Sequence, residues 1–379
     1  KASLPIGLEY GNQLQTICQF FVFLVNQDKI IKYCKKCVQP NNRPGIVFDT
    51  NGVCGPCKYY ATLKNVDWDE RRTQLGKHVD YCINNRSALV YDCIISVSGG
   101  KESARQAMIA RDELGLNPLL VSTVSPPEML TDIGVNNLSN LNSLGFDIIT
   151  VEPDPIVYKT LMRVSYKQYG NYGRATELAL YASALRIALA YEIKMIFLGE
   201  NNSLVYGEAI SCEDGGDASD LINYNTLNGG KTDWMVDEDS SVYHEYLFPY
   251  QFPNPSNIRM LGIKIVYLGY YIKDFNNISN AKFSIVHGLE IRSVPQEYTG
   301  SVHPFDALDE DFVHVNQMLK YFKFGVGKAT EEVCEMIRVG EVLRDEGVDM
   351  VRRLDGKCHE SYIELFCKYL NITKDEFWK

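Results

Sequence analysis

Four cysteines form two pairs, Cys34-x2-Cys37 and Cys54-x2-Cys57, separated by sixteen residues. Each CxxC lets two thiolates approach one ion from a tight turn, and two such turns complete a tetrahedron. Gly52, Gly55 and Pro56 supply turn geometry around the second pair. With all four positions filled by sulfur, none remains for water, so the expectation is a structural zinc ribbon. A redox-active dithiol is the competing use of a CxxC. A second stretch, "SVSGGKES" at 96–103, follows the apolar run "YDCII". Its glycines let backbone N–H groups converge on an anion. A helix expected from near Ser103 would aim its positive end at the same point. Ser98 and Ser103 offer hydroxyls, and Lys101 offers a point charge. The spacing matches neither G-x-x-x-x-G-K-[ST] nor G-x-G-x-x-G.

The elements around this loop alternate. "DCIISV" predicts a buried strand, and "SARQAMIARDELGL" an amphipathic helix ended by Gly115. "PLLVSTV" is the next strand, followed by a helix near 133–144 ended by Gly145. "DIITVEP" gives a third strand, a long helix runs from about Ala175 to Tyr191, and "KMIFLGE" gives the fourth strand. Apolar strands separated by such helices imply an α/β fold with a doubly wound parallel sheet. Ligands of such sheets bind beyond the carboxyl ends of the strands. Here those ends carry Ser96–Ser98, Ser122–Ser125, Glu152 and Gly199–Asn202.

The expected organisation is an uninformative leader at 1–30, the zinc ribbon at 31–60 and a connector at 61–90. A nucleotide-binding domain follows at 91–240, and a mixed, then helical, C-terminal substrate or partner region at 241–379. In that last region "IKIVYLGYYI" reads as a strand, and "VHVNQMLKYF", "TEEVCEMIR" and "GVDMVRRL" read as helices. The 379 residues are 45% apolar and 23% charged, and carry a formal charge of −10. That acidity counts against a broad nucleic-acid surface and favours a small-molecule substrate or a protein partner. Seven of the eleven cysteines stand singly, which fits a reducing, cytoplasmic setting with one metal site. No apolar run approaches the roughly 20 residues that span a bilayer. The longest, "ICQFFVFLV" at 17–25, lacks the flanks of a signal peptide.

"SVSGGKES" resembles the S-G-G-x-D-S loop of the PP-loop ATP pyrophosphatases, which cleave ATP to AMP and pyrophosphate. The resemblance implies that Ser98, Gly99, Gly100, Lys101 and Ser103 cradle pyrophosphate, with Ser122 near the adenosine. Glu102 stands where that family has Asp, one methylene longer. A larger set looks like the bacterial N-acetyl sugar amidotransferases: "YCKKCVQPNNRPGIVFDTNGVCGPC", the loop, "LGEN" and "KYFKFGVGKATEEVCEMIRVG", together spanning about 31–355. That family converts an acetamido to an acetamidino group in pseudaminic, legionaminic or related O-antigen sugars. The resemblance therefore implies an ATP-dependent C–N ligase with ATP, Mg2+ and structural Zn2+. Its catalytic residues would be Lys101, Glu102 and Glu200. Ammonia would come from a separate glutaminase with a cyclase-like channel subunit, and no glutaminase signature surrounds any Cys here.

Further candidates have bland alternatives beside them. Gly199, Glu200 and Asn201 lie at the expected pocket mouth, where a turn role is the alternative. Arg174, in "YGRAT", suits a phosphate or a sugar carboxylate, or is a solvated helix start. Lys328, after Gly325 and Gly327, precedes a helix that offers an anion site, whereas Thr330 with Glu331 and Glu332 reads as an ordinary cap. Tyr206, Gly207 and Glu208 suit a substrate loop. His287, His303 and His314 have no metal-ligand spacing, and "CEDGGDASD" reads as a loop. The rival enzymatic reading is an ATP-dependent tRNA thiolation enzyme, which also joins cysteine pairs to such a loop. The rival non-enzymatic reading is a ribbon adaptor with a decayed nucleotide fold.

Overall fold

Strand formation follows from apolar runs that are buried on both faces at the centre of the sheet. "CIIS", "PLLVST", "IITV", "MIFL" and "KIVY" are rich in β-branched or bulky residues, and only "IITV", at one edge of the sheet, has no fully buried residue. They form β1 (Cys93–Ser96), β2 (Pro118–Thr123), β3 (Ile148–Val151), β4 (Met195–Leu198) and β5 (Lys264–Tyr267). In this computed structural model, which describes residues 31–207, 215–223, 226–236 and 244–379, all five lie parallel in the order β3-β2-β1-β4-β5. Ile94 at the centre stands opposite Leu119 on one side and Ile196 on the other. The leader at 1–30, Glu208, and the start of the "CEDGGDASD" loop (212–214) lie outside the described residues.

Eleven described helices have eight residues or more. They are α1 (Gly55–Thr62), α2 (Trp68–Asn84), α3 (Lys101–Met108), α4 (Asp132–Ser143), α5 (Pro155–Tyr169), α6 (Gly173–Tyr191), α7 (Asn277–Val286), α8 (Phe312–Phe324), α9 (Lys328–Val339), α10 (Arg344–Leu354) and α11 (Glu360–Leu370). The helix after β1 begins at Lys101 rather than near Ser103. It runs on as a π-helical turn over Ile109–Glu113 before Gly115, at φ +67°, ends it. Sequence reasoning passed over α5, although Asp154 caps it, accepting from the Ile156 and Val157 N–H groups, and Pro155 opens it. The sheet also reaches beyond the boundary expected at residue 240, because β5 pairs with β4. The strand-like run "IKIVYLGYYI" thus belongs to the same parallel sheet, and turns into a 3-10 helix at Leu268–Tyr271.

Each sheet face has its own core. On one face Ile94, Leu119 and Ile196 pack with α5 and α6 residues such as Leu161 and Leu178, and with Phe312 and Phe366 of α8 and α11. On the other, Ile95, Leu120 and Phe197 pack with Leu75 of α2, Ala107 of α3 and Leu141 of α4. A third core joins Cys34, Cys37, Cys54 and Cys57 to Ala329, Val333 and Leu354 of α9 and α10. The ribbon is therefore not an independent unit; it buries its apolar side on the C-terminal helices. Among the described residues no helix is long and apolar enough to cross a membrane.

Strand order reverses between β1 and β4. A crevice must open there, beyond the strand ends, because the connections leave to opposite sides. The turns after β1 and β4 flank it.

Phe366 fastens the C-terminal helices to the sheet. Its fully buried ring meets Tyr166 at 5.3 Å, Phe312 at 5.4 Å and Tyr172 at 5.5 Å between centroids. Phe366→Ala is expected to cost about 3–5 kcal/mol, read as a lower urea midpoint at unchanged slope.

Candidate active site and metal centre

The turn after β1 is shaped by two glycines with different duties. Gly99 has φ +82°, and a Cβ there would meet the Leu138 amide nitrogen at 3.0 Å. Only glycine lets this turn rest on α4. Gly100 has ordinary extended geometry and is the N-cap of α3, with no side chain capping the helix. Among the described residues the N–H groups of Lys101, Glu102 and Ser103 have no protein acceptor. Such a helix start presents donors and the positive end of a dipole. Ser98 is exposed beside them. Ser103 is not a free donor: its hydroxyl donates to the Gly100 carbonyl at 3.1 Å and braces the turn.

Lys101 is already ion-paired within the protein. Its ammonium is only 4% exposed and is held by Asp306 and by Glu102, the latter at 2.8 Å. A buried ammonium needs paired carboxylates to offset its lost hydration. Burial alone would lower its pKa, but the Asp306 and Glu102 charges outweigh burial and raise it. Lys328 reaches the other oxygen of Asp306 at 2.8 Å. Burial likewise opposes its charge, and Asp306 and Glu332 overcome it. Asp306 itself is buried, yet the two lysines hold it well below the usual carboxylate range. Glu332, fully buried, is pushed up chiefly by burial; it accepts from the Ser301 hydroxyl at 2.5 Å and the Val302 N–H at 2.6 Å. Sequence reasoning missed Asp306, which lies 205 residues from Lys101 in a segment with no glycine or helix-start signature.

The turn after β4 contributes Gly199, Glu200 and Asn201. A Cβ at Gly199 would press on the Gln106 amide of α3 at 3.1 Å, so the turn after β4 packs closely on that helix. Burial first, and then the Glu102 charge, raise Glu200 to about 7. Glu102 and Glu200 thus face one crevice and repel each other, a pairing suited to a shared cation. Asn201 takes the turn role: its oxygen caps the next helix at Ser203 N–H, 3.0 Å, and its amide donates to the Gly215 carbonyl. Ser122 is buried in β2, paired in register with Thr150 of β3.

Two expected anion ligands sit differently. The α9 helix start, beside Lys328, is already capped by Asp355, whose carboxylate accepts from the Gly327 and Thr330 N–H groups at 3.0 Å and from the Thr330 hydroxyl. That N-terminus has its anion, and Lys328 acts through Asp306 instead. Arg174 lies over the Tyr169 ring at 4.1 Å and lines a cavity to which no residue of the 96–103 loop contributes. Tyr206 and Gly207 pack on the ribbon; a Cβ at Gly207 would strike Ile46. His303 and His314 are buried and lowered to about 4 and about 3, burial being the main cause, so both are neutral. His287 stacks on Phe283.

The four ribbon sulfurs lie within 4.8 Å of one another, all buried, with Cys37 and Cys54 at 3.7 Å. Metal–sulfur bonds of ~2.3 Å in a tetrahedron give edges of about 3.8 Å, so the donor set fits one tetrahedral ion. The Lys36 and Cys54 N–H groups point at the Cys34 sulfur, at 3.4 and 3.3 Å, as donors to a thiolate would. Arg344 donates to the Cys34 and Cys37 carbonyls, clamping the first turn to α10. All nine described cysteines are free thiols.

Residues 297–379 match the family model for the C-terminal domain of the WbpG-like LPS biosynthesis proteins. No curated protein matches the chain. Among solved structures, the U34-tRNA thiolase NcsA from Methanococcus maripaludis, with its [4Fe-4S] cluster, is 11% identical. The match covers 89% of this chain and 88% of that one, with a TM-score of 0.30. NMN synthetase from Francisella tularensis is 15% identical over 86% and 96%, at 0.28. NH3-dependent NAD synthetase from Campylobacter jejuni is 12% identical over 61% and 100%, at 0.29. Superpositions this loose transfer nothing about activity.

Two outcomes are expected. Glu200 binds a proton more tightly when folded than its ordinary range near 4.5, so its ionisation destabilises the fold as pH rises from about 4.5 to about 7. Glu200→Gln should therefore raise Tm at pH 8 and leave it nearly unchanged at pH 4, as thermal denaturation at the two pH values would show. Cys34→Ser removes one of four ligands and should abolish stoichiometric metal by elemental analysis while lowering Tm.

Proposed function

We propose that this chain, whose residues 297–379 form a WbpG-like C-terminal domain, is an ATP-dependent amidotransferase of bacterial surface-sugar biosynthesis. It would convert an acetamido to an acetamidino group and release AMP and pyrophosphate. The observation that carries this reading is the crevice at the strand-order reversal, where the glycine turn with unpaired N–H groups faces the Glu200 turn. That is where a parallel sheet binds a nucleotide, and the donors there suit phosphate.

An amide carbonyl is a poor electrophile because its oxygen is a poor leaving group. Attack of that oxygen on the α-phosphorus of ATP forms a C–O–P bond and expels pyrophosphate. Ammonia then attacks the carbon and AMP departs, leaving C=NH. The α3 start and Ser98 would hold the pyrophosphate as its charge develops. Lys101 would act by fixing the turn and by its field, since its ammonium is bound to Asp306 and Glu102. Glu102 and Glu200 would hold Mg2+, which supplies charge neutralisation of the phosphates when bound. The four cysteines would hold a structural Zn2+. A glutaminase with a channel subunit would deliver ammonia, in the cytoplasm. The tRNA-thiolation reading is weaker: the chain's charge is −10, and a tRNA surface calls for a basic face.

The test is product analysis from acetamido sugars supplied with ATP, Mg2+ and ammonium. A product lighter by the difference between O and NH, with AMP and pyrophosphate in equal amount, is expected. Gly99→Ala should lose at least about tenfold in ATP affinity, because the turn can no longer rest on α4. If wild-type protein makes no AMP from any acetamido sugar, the proposal is wrong.

A further inference from the structure

A cavity of about 610 Å3 lies between the ribbon, the α5–α6 junction and α8. Four cations line it: Arg43, Arg174, Lys320 and Lys323. One carboxylate serves two of them, Glu331, which pairs with Arg43 and with Lys320 at 2.8 Å. Arg174 and Lys323 form no ion pair among the described residues. Lys323 donates only to the Tyr169 carbonyl, at 3.1 Å, and the Arg174 Nε is buried without a hydrogen-bond partner. Burial, and then the Lys320 charge, lower Lys323 to about 8. These are cations crowded together in excess of carboxylate, next to aromatic surface from Tyr169 and Phe324 and amides from Asn171 and Asn316.

The cavity also has a physical link to the crevice. Arg43 lies over the Tyr206 ring, at 5.7 Å, and Tyr206 ends the segment that begins at Glu200. Behind Arg43, its partner Glu331 adjoins Glu332 and Lys328, and Lys328 shares Asp306 with Lys101. A chain of paired side chains thus joins the cavity wall to the turn after β1.

We propose that this cavity is an oxyanion subsite, which binds the phosphate or carboxylate end of a small sugar-derived ligand. Guanidinium and ammonium groups with flanking amides are the donors such an oxyanion takes, and the aromatic wall suits a sugar or base face. That the ligand is the enzyme's own substrate rests on the proposed function; the subsite itself does not. It would hold one end of the molecule while the acetamido group reaches the crevice.

Calorimetry on the full chain tests this with two probes, UDP for a phosphate source and N-acetylneuraminate for a sugar carboxylate. At least one should bind, and Arg174→Gln with Lys323→Gln should weaken it by about tenfold or more while ATP affinity stays within about twofold. Binding of UDP alone assigns the oxyanion to a phosphate, and binding of N-acetylneuraminate alone assigns it to a carboxylate. Should the double variant fail to fold, Lys323→Gln alone is read in the same way. The subsite is overturned if neither probe binds, if the substitutions leave probe affinity unchanged, or if ATP displaces the probe and Gly99→Ala weakens it equally. A chain that binds a probe as described yet makes no AMP keeps the subsite and loses the proposed reaction.

Discussion

One buried carboxylate sets the geometry of the site. Asp306 accepts from Lys101, the first residue of α3, and from Lys328, the first residue of α9. Two helix starts distant in sequence are thereby fixed to one point. Removing Asp306 would leave two buried ammonium groups sharing fewer carboxylates, a cost well above that of losing a surface pair. The network compensates internally: Glu102 takes part of the Lys101 charge, and Glu332 lies 3.8 Å from the Lys328 ammonium. The lysine most conspicuous in the glycine-rich stretch is thus bonded to two carboxylates, and the donors left for a ligand are backbone N–H groups and the exposed Ser98 hydroxyl.

This arrangement explains why the ribbon, the sheet and the C-terminal helices behave as one body. The α9 helix carries Lys328 at one end and packs Ala329 and Val333 against the metal cysteines. Tyr60 of α1 donates to Glu335 of α9 at 3.2 Å, and Glu335 also accepts from the Asn277 N–H of α7. Helix α7 in turn packs on the start of α3, Ser284 donating to the Lys101 carbonyl at 2.8 Å. A metal ion in the ribbon would therefore stiffen a path that ends on the loop after β1. Structural metal sites do contribute folding energy directly, and here that energy would reach the crevice through packed helices.

Local chemistry was legible in the sequence, and long-range pairing was not. The glycine turn, the four cysteines and four of the five sheet strands follow from spacing and periodicity, because each depends on neighbours in the chain. The fifth strand's run was seen, but its membership of the sheet was not, since parallel pairing of β4 with β5 across sixty-odd residues leaves no local mark. Helix α5 carried its start signal in Asp154 and Pro155 and was overlooked between two stronger patterns. Lys101, Asn201 and Ser103 were assigned by type: each has the donors a ligand wants, yet each spends them on the protein. Asp306 carried no signal and Glu331 read only as part of a helix cap, because a carboxylate reveals its ion-pairing role only when the cations it serves are brought to it.

Charge placement then separates two regions that the sequence presented as one. The crevice is lined by Glu102 and Glu200, which repel each other and leave the helix N-terminus as its positive element. Among the described residues the neighbouring cavity is lined by four cations, two of which pair with Glu331. Glu102 is paired with Lys101, yet its charge still raises Glu200, so an anion in the crevice would be favoured by a divalent cation between the two glutamates. With such a cation bound, the crevice would suit the phosphates of the proposed reaction and the cavity would suit a second anion. The two regions thus favour different ligands by charge alone, and Glu331, shared by Arg43 and Lys320, keeps the cavity's excess from spreading toward Asp306. On the proposed reading, this separation of charge would place the nucleotide and its cation in the crevice and the acidic ligand in the cavity.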